Sequence, residues 1–393
     1  MPPAPAAVVV VRSRTLSHVR TLRIALDATP LLGLQTGVGA FTVGALTSLA
    51  LRDDVEVAAY ALSWAGRGTL PLLLPRGVRL VNRRMPARPL RALWGRFDGP
   101  RIERWTGAVD VVHGTNFVVP PARATEIVTV HDLTPLRFPE LCDRRTLAYP
   151  NLIRRAFSRG AWVHTVSAHV AGEVRDAFGV GEDRVAVVPE GVPPVMAAAP
   201  GAGRSLAGAD RYVLAIGTVE PRKDHAGLLS AFEAVAAADG DVRLVLAGAP
   251  GWGTTEFDAA LDHSPARARV IRLGYVSSED RAALLRDAAV LAYPSRYEGF
   301  GLPPLEAMSV GVPVVASDAG ALPEVLGDAA VLVSVGDRDA LANALLTVLD
   351  DDGVRRRLVD AGSARAARYS WLQCAEGLVA LYRRAAAQRG GRD

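Results

Sequence analysis

Ala289–Asp318 reads AVLAYPSRYEGFGLPPLEAMSVGVPVVASD. A short apolar run, AVLAYPS, meets a glycine-rich turn, then a helical pattern, then a second apolar run, VPVVASD. Proline has no backbone donor and is favoured at the start of a helix, so the helix is predicted to open at Pro303–Pro304. That places Glu298 on the loop and Glu306 in the first turn. Neither flanking run alternates with polar residues, which is the mark of parallel strands covered on both faces.

Working outward, the same unit recurs from about residue 22 to the end of the chain. Ahead of it and after it in the second half come YVLAIGT, VRLVLAGA, VIRLGYV and AAVLVS. The first half carries LRIALDA, VEVAAYA, VRLVN, VDVVHGT, EIVTVHD, WVHTVS and VAVVPEGV. This is a doubly wound α/β pattern twice over: two Rossmann-like domains with parallel sheets. A chain of 393 residues suits two such domains. We expect the first over residues 21–193, a Pro- and Gly-rich linker over 194–209, and the second over 210–370, with a last helix from Trp371 to about residue 390. Two domains on one hinge leave a cleft where the carboxyl ends of both sheets can face each other, and ligands bind at such ends.

Composition narrows the function classes. The formal charge is +4, small for this length, and no nucleic-acid motif accompanies it. Cys142 and Cys374 lie far apart without metal or redox spacing, so a reducing, cytoplasmic setting is expected. The run AAVVVV at Ala6–Val11 is too short to span a membrane, and residues 1–20 are read as a disordered extension. Of 45 basic residues, 44 are arginine and one, Lys223, is lysine. A GC-rich genome accounts for the bias but not for where that lysine sits.

Gly299, Phe300, Gly301 and Leu302 offer backbone N–H groups beside a helix N-terminus, an anion-binding arrangement flanked by the carboxylates of Glu298 and Glu306. A capping glutamate and a turn of glycines would read the same way. GTVEPRKDH, Gly217–His225, follows the first strand of the second domain. Arg222 as a planar fork and Lys223 as a point charge suit a diphosphate, although a charged pair on a loop is usually solvated. TGVGAF, Thr36–Phe41, fails the dinucleotide fingerprint at Thr42 but can bring backbone close to a diphosphate. His113 and the His131–Asp132 pair close later strands of the first domain, and for His113 a structural role reads equally well. Asp337 and Asp339 more naturally cap a helix than bind metal. No metal is expected, so Arg222, Lys223 and helix dipoles would neutralise a leaving group.

Taken together, TGVGAF, TVHDLTP, GTVEPRK, LGYVSSED and EGFGLPPLEAMSVGVPVVASDAGALPEV resemble the retaining glycosyltransferases of family 4, which have the GT-B fold. The resemblance runs from about residue 22 to the final helix. It implies that Glu298 contacts the donor sugar and Glu306 the nucleotide ribose. The amides of Gly299, Phe300, Gly301 and Leu302 would meet sugar and phosphate, Arg222 and Lys223 the diphosphate, and Gly39 the same group from the opposite domain. Val276 would meet the base, His131 the sugar, and Asp132 the acceptor. The first domain would take the acceptor, the second the nucleotide sugar, and the last helix would cross back onto the first domain. Ala319–Ala321 departs from the family's hydroxyl-bearing loop. The implied activity is hexosyl transfer in polysaccharide or glycolipid assembly, with GDP-mannose weakly favoured.

Three rivals stand beside transfer. Two carboxylates suit glycoside hydrolysis, which leaves the cation pair unexplained. A nucleotide-sugar epimerase shares the architecture, and a non-catalytic sugar-nucleotide binder would need the same site. Separately, Pro89–Asp98 reads as a helix with Leu90, Leu93, Trp94 and Phe97 on one face amid Arg83, Arg84, Arg88, Arg91, Arg96, Arg101 and Arg104. That stretch, 83–104, is either packed on its own domain or docks on an anionic membrane, putting the protein at the inner face of the cell membrane.

Overall fold

The computed structural model describes residues 20–33, 36–64, 68–81, 83, 85–142, 144 and 146–390. The expected extension lies outside them apart from Arg20, as does Arg84. All thirteen apolar runs form strands. The first sheet contains β1 (Leu22–Asp27), β2 (Val55–Tyr60), β3 (Arg79–Val81), β4 (Val111–Gly114), β5 (Thr125–Val130), β6 (Trp162–Thr165) and β7 (Val185–Val187). The second contains β8 (Tyr212–Ile216), β9 (Arg243–Ala247), β10 (Val270–Gly274), β11 (Val290–Tyr293), β12 (Val314–Ser317) and β13 (Val331–Val333).

The strand orders are β3-β2-β1-β4-β5-β6-β7 and β10-β9-β8-β11-β12-β13, and every pair is parallel. Each order reverses direction once, between β1 and β4 and between β8 and β11. At such a point the loops leave adjacent strands toward opposite faces and open a crevice. The central strands are apolar on both sides because helices cover both faces. β4, β5, β6, β8, β11 and β12 are buried at every position.

The last helix, Trp371–Gly390, belongs to the first domain's core. Cys374, Ala375, Leu378, Tyr382 and Ala385 pack with Ile24, Leu26, Phe41 and Leu46. The chain therefore crosses between the domains twice, and the crossings are tied by Val192 N–H donating to the Tyr369 carbonyl at 2.9 Å. Trp371 sits in a slot that only glycine leaves open, since a Cβ at Gly44 or Gly191 would lie 2.3 or 2.5 Å from its atoms.

His113 turns out to be structural. His164 Nε2 meets the Val188 carbonyl at 2.9 Å, and a carbonyl can only accept. His164 Nδ1 must then accept from the Thr129 hydroxyl at 2.9 Å, Thr129 from His113 Nε2 at 2.7 Å, and His113 Nδ1 from the Tyr382 hydroxyl at 2.7 Å. One acceptor thus fixes both tautomers and latches the last helix to the sheet. Burial pushes His113 well below the ordinary histidine range and His164 to about 4, so both stay neutral.

The helix expected over Pro89–Asp98 runs instead from Ala87 to Trp94, and its apolar residues do not share one fate. Leu90 and Trp94 enter the core, while Leu93 and Phe97 are 41% and 60% exposed. The four-residue spacing of Leu90 and Trp94 aims them inward together, whereas Leu93 lies on the next row round the helix and Phe97 three residues beyond its end.

Candidate functional site

Both cation and carboxylate motifs leave the two strands that flank the second sheet's switch point. β8 ends at Ile216 and its loop delivers Arg222 and Lys223. β11 ends at Tyr293 and its loop delivers Glu298. The cations sit on a short turn, Pro221–Lys223, ending at Asp224 in the left-handed region at φ 51°. The helix after Glu298 starts at Leu302, one residue earlier than expected, and Glu306 lies beyond its first turn.

Glu298 is gripped by both cations. Lys223 Nζ donates to Oε1 at 2.6 Å and Arg222 Nη1 to Oε2 at 2.7 Å. Arg222 Nη1 also reaches the Tyr297 carbonyl at 2.9 Å, and its Nη2 pairs with Glu220 at 2.8 Å. Lys223 Nζ donates to the Tyr293 hydroxyl at 2.7 Å, and its chain runs along Gly217, whose Cβ would lie 3.5 Å from Cε. Four hydrogen bonds, two from each cation, and the ion pair to Glu220 fix both side chains in place.

Burial opposes the charge on Glu298, but Arg222 and Lys223 outweigh it and hold the carboxyl at about 2. Burial, helped by Arg222, lowers Lys223 against the pull of Glu298. Burial also works against the charge on Arg222, yet Glu298 and Glu220 raise it well above the usual arginine value. A depressed carboxylate stabilises the fold above its unfolded value near 4.3 and loses that contribution as pH falls toward 2. Glu298 is therefore ionised throughout the physiological range.

The turn 299–301 is pressed between domains. A Cβ on Gly299 would lie 1.8 Å from the His131 carbonyl, and one on Gly320 would lie 2.3 Å from the Glu298 carbonyl, with Gly320 at φ +55°. Gly301, at φ +112°, caps the helix. Phe300 and Leu302 point into the second domain's core, so only their backbones can serve a ligand. Glu306 is buried and paired with Arg281, and burial raises its carboxyl despite that partner. Val276 lies half-buried two residues after β10. Gly39 is in the first turn of the helix Gly37–Ala50 rather than on a loop, close enough to the Pro30 carbonyl that a Cβ would sit 3.3 Å away.

From the first domain, His131 and Asp132 follow β5. His131 contacts Glu190 through Nδ1 at 3.1 Å and the Thr115 carbonyl through Nε2 at 2.8 Å, and Asp132 Oδ1 accepts from Thr134 N–H at 2.9 Å. Several residues of this site escaped sequence reading. Glu220 and Tyr293 lay inside quoted motifs, but nothing in a string says which side chains turn inward. Tyr297 accepts from Leu133 N–H at 3.0 Å and donates to Glu173, bridging the domains. Ser167 donates to the Gly299 carbonyl at 2.8 Å. Such contacts across the cleft leave no periodic signal. Asp337 caps its helix by accepting from Ala340 N–H at 2.9 Å. Among the described residues no three His, Cys, Asp or Glu side chains converge as a metal site.

Comparison with known proteins follows the two sheets. Residues 37–195 match the family described as Glycosyltransferase Family 4, and residues 204–365 match Glycosyl transferases group 1. The chain is 33% identical over 282 residues to the O-antigen chain mannosyltransferase B of Escherichia coli, covering 70% of this chain and 74% of that one. It is 36% identical over 251 residues to the MMP alpha-(1->4)-mannosyltransferase of Mycolicibacterium hassiacum, covering 62% and 59%. Among solved structures, the sucrose-phosphate synthase of Thermosynechococcus elongatus superposes with TM-score 0.71 at 19% identity, covering 94% of this chain and all of that one. HepE of Anabaena, solved with UDP and glucose, gives 0.70 at 20% identity, covering 91% and 98%. Those likenesses establish the GT-B fold.

Proposed function

Because the chain belongs to the family 4, group 1 glycosyltransferases, we propose that it is a retaining hexosyltransferase. It takes a sugar, with GDP-mannose favoured, from a nucleoside-diphosphate donor to a saccharide, lipid-linked or small-molecule acceptor. The observation that carries this reading is the Glu298 carboxylate shared between Arg222 and Lys223 at the switch point. Two half-buried cations sharing one carboxylate, beside the glycine turn 299–301, suit a diphosphate. The names of the similar mannosyltransferases support mannose, and the UDP in HepE supports a nucleotide-bound donor.

In the proposed step the bond between C1 and the diphosphate oxygen breaks with its electron pair going to that oxygen. The acceptor hydroxyl bonds to C1 on the same face, and its proton passes to the departing phosphate. Charge grows on the diphosphate as this happens, so the fixed cations act most strongly at the transition state. Glu298 then faces the sugar's hydroxyls, Glu306 the ribose and Val276 the base, with the amides of Gly299 to Leu302 and Gly39 closing on sugar and phosphate. Asp132 stands on the acceptor side.

A donor panel scored by release of nucleoside diphosphate, with and without acceptor saccharides, tests this. GDP-mannose should give the fastest release, accelerated by acceptor and undiminished in excess EDTA. Release abolished by EDTA and restored by magnesium would overturn the metal-free reading. Interconversion of two sugar nucleotides without acceptor would make the protein an epimerase, and binding without release would make it a sugar-nucleotide binder.

We also propose that the exposed Leu93 and Phe97, with Arg88, Arg96, Arg101 and Arg104 exposed around them, rest on anionic lipid, placing the protein at the cytoplasmic face of the membrane. No helix among the described residues is long and apolar enough to cross one. Shallow insertion of two apolar side chains plus about 1 kcal/mol per arginine near the surface suffices for reversible docking. Sedimentation with phosphatidylglycerol vesicles at low salt should carry the protein down, and Leu93→Ser/Phe97→Ser should release it. Absence of binding at low salt removes this idea.

A further inference from the structure

His131 has no free ring nitrogen. Nε2 faces the Thr115 carbonyl and Nδ1 faces the Glu190 carboxylate, and a carbonyl and an ionised carboxylate can only accept. A neutral imidazole carries one N–H and one lone pair, so it would set a lone pair against an acceptor on one side. Against an ionised Glu190, only the imidazolium satisfies both. Glu190 makes the complementary demand: it is 4% exposed, and His131 is its hydrogen-bond partner. A buried carboxylate without a cation is expensive, so each member of the pair requires the other's charge.

Glu190 occupies a singular place in the fold. It precedes Gly191 and Val192, where the chain leaves the first domain beside the returning crossing at Tyr369–Trp371. His131 in turn holds the cleft side, its carbonyl against Gly299 of the donor-side turn. We propose that Glu190 is a positioning residue that holds His131 as a fixed cation in the cleft, so that His131 acts by charge and not by exchanging a proton with substrate. This rests on the transfer reading and deepens it, adding from the first domain a positive charge to the pair at Arg222 and Lys223.

The groups facing the ring are Glu190, with Cys374 beside it, Asp132 next in the chain, and the neutral His113 on β4 and His164 on β6. Phe41 and Phe117 pack edge-on at 5.2 and 6.4 Å. Burial lowers His131, but the Glu190 bond and charge outweigh it and the net direction is upward. The group thus stays charged above the ordinary histidine range, and its contribution is lost as pH rises through the elevated value.

Glu190→Gln separates charge from position. The amide can donate to Nδ1 while Nε2–H keeps Thr115, so the ring stays in place as the neutral tautomer. The expected result is kcat lowered roughly tenfold to a hundredfold at pH 7 with donor KM little changed. The alkaline limb of the kcat profile should move to lower pH. Independently of any activity, ¹⁵N spectra of histidine-labelled wild-type protein should show both His131 nitrogens protonated at pH 7, and one in Glu190→Gln. A singly protonated His131 in the wild type overturns the proposal whatever the enzyme transfers. So does a folded Glu190→Gln with wild-type kcat and profile. If no donor turns over, the transfer reading fails while the spectra still decide the charge of His131.

Discussion

Glu298→Ala should cut donor turnover by about 10³ or more, whereas Glu306→Ala should leave kcat within several-fold and raise donor KM about tenfold. The asymmetry follows from what each carboxylate holds. Glu298 sets the position of both cations, at 2.6 and 2.7 Å, and is assigned to the sugar that becomes cationic as its bond breaks. Removing it leaves Arg222 and Lys223 facing each other without their shared anion and takes away a contact that strengthens at the transition state. Breaking a buried pair costs about 3–5 kcal/mol, so the variant should also melt earlier, and kcat must be measured where it remains folded. Glu298→Gln separates the two effects by keeping the shape and losing the charge. Glu306 has its own partner, Arg281, and no contact with either cation is evident among the described residues. Its loss is felt in the bound donor and the transition state alike, which is a KM effect. Equal losses of kcat in both variants would contradict the assigned roles.

What could be read from the sequence, and what could not, divides along the range of the forces involved. The central strands were visible because a doubly covered parallel sheet demands a largely apolar run, and Pro303 and Pro304 announced their helix within one residue because proline has few tolerable positions. The site motifs were visible because a turn after a strand must use glycine and because Arg222, Lys223 and Glu298 sit in those turns. The partners that fix these groups were not visible. His131 and Glu190 are 59 residues apart, Tyr297 and Glu173 are 124 apart, and His113 and Tyr382 are 269 apart. Polar contacts of that separation are set by how two sheets and a returning helix come together, and no local pattern encodes them. The helix 87–94 shows the same limit from the other side. Its periodicity was legible, but which apolar row faced the core depended on the neighbouring helices and sheet.

Lys223→Ala should lower kcat by about 10²–10³, and Lys223→Arg should recover only part of that loss. One lysine among 45 basic residues has to fall somewhere, and composition alone makes its place an accident. The geometry argues otherwise. The ammonium lies between Glu298 Oε1 at 2.6 Å and the Tyr293 hydroxyl at 2.7 Å, and 4.7 Å from the centre of the Tyr293 ring. Its carbon chain runs alongside Gly217, 3.5 Å at its nearest from where a Cβ would lie. A guanidinium is planar and several atoms wider, and Arg222 already occupies the other oxygen of Glu298 with one such fork. An arginine at 223 must therefore displace Tyr293, tilt Glu298 or withdraw, and each moves the cation from the growing charge on the diphosphate. Because that charge develops only as the bond breaks, the penalty should appear in kcat, with donor affinity changed much less. The measurement is single-turnover kinetics at saturating donor for the wild type, Lys223→Ala and Lys223→Arg, with donor Kd from titration. If Lys223→Arg turns over at the wild-type rate, the ammonium's shape is irrelevant. If Lys223→Ala loses affinity and keeps kcat, the contact belongs to the bound donor and not to the transition state.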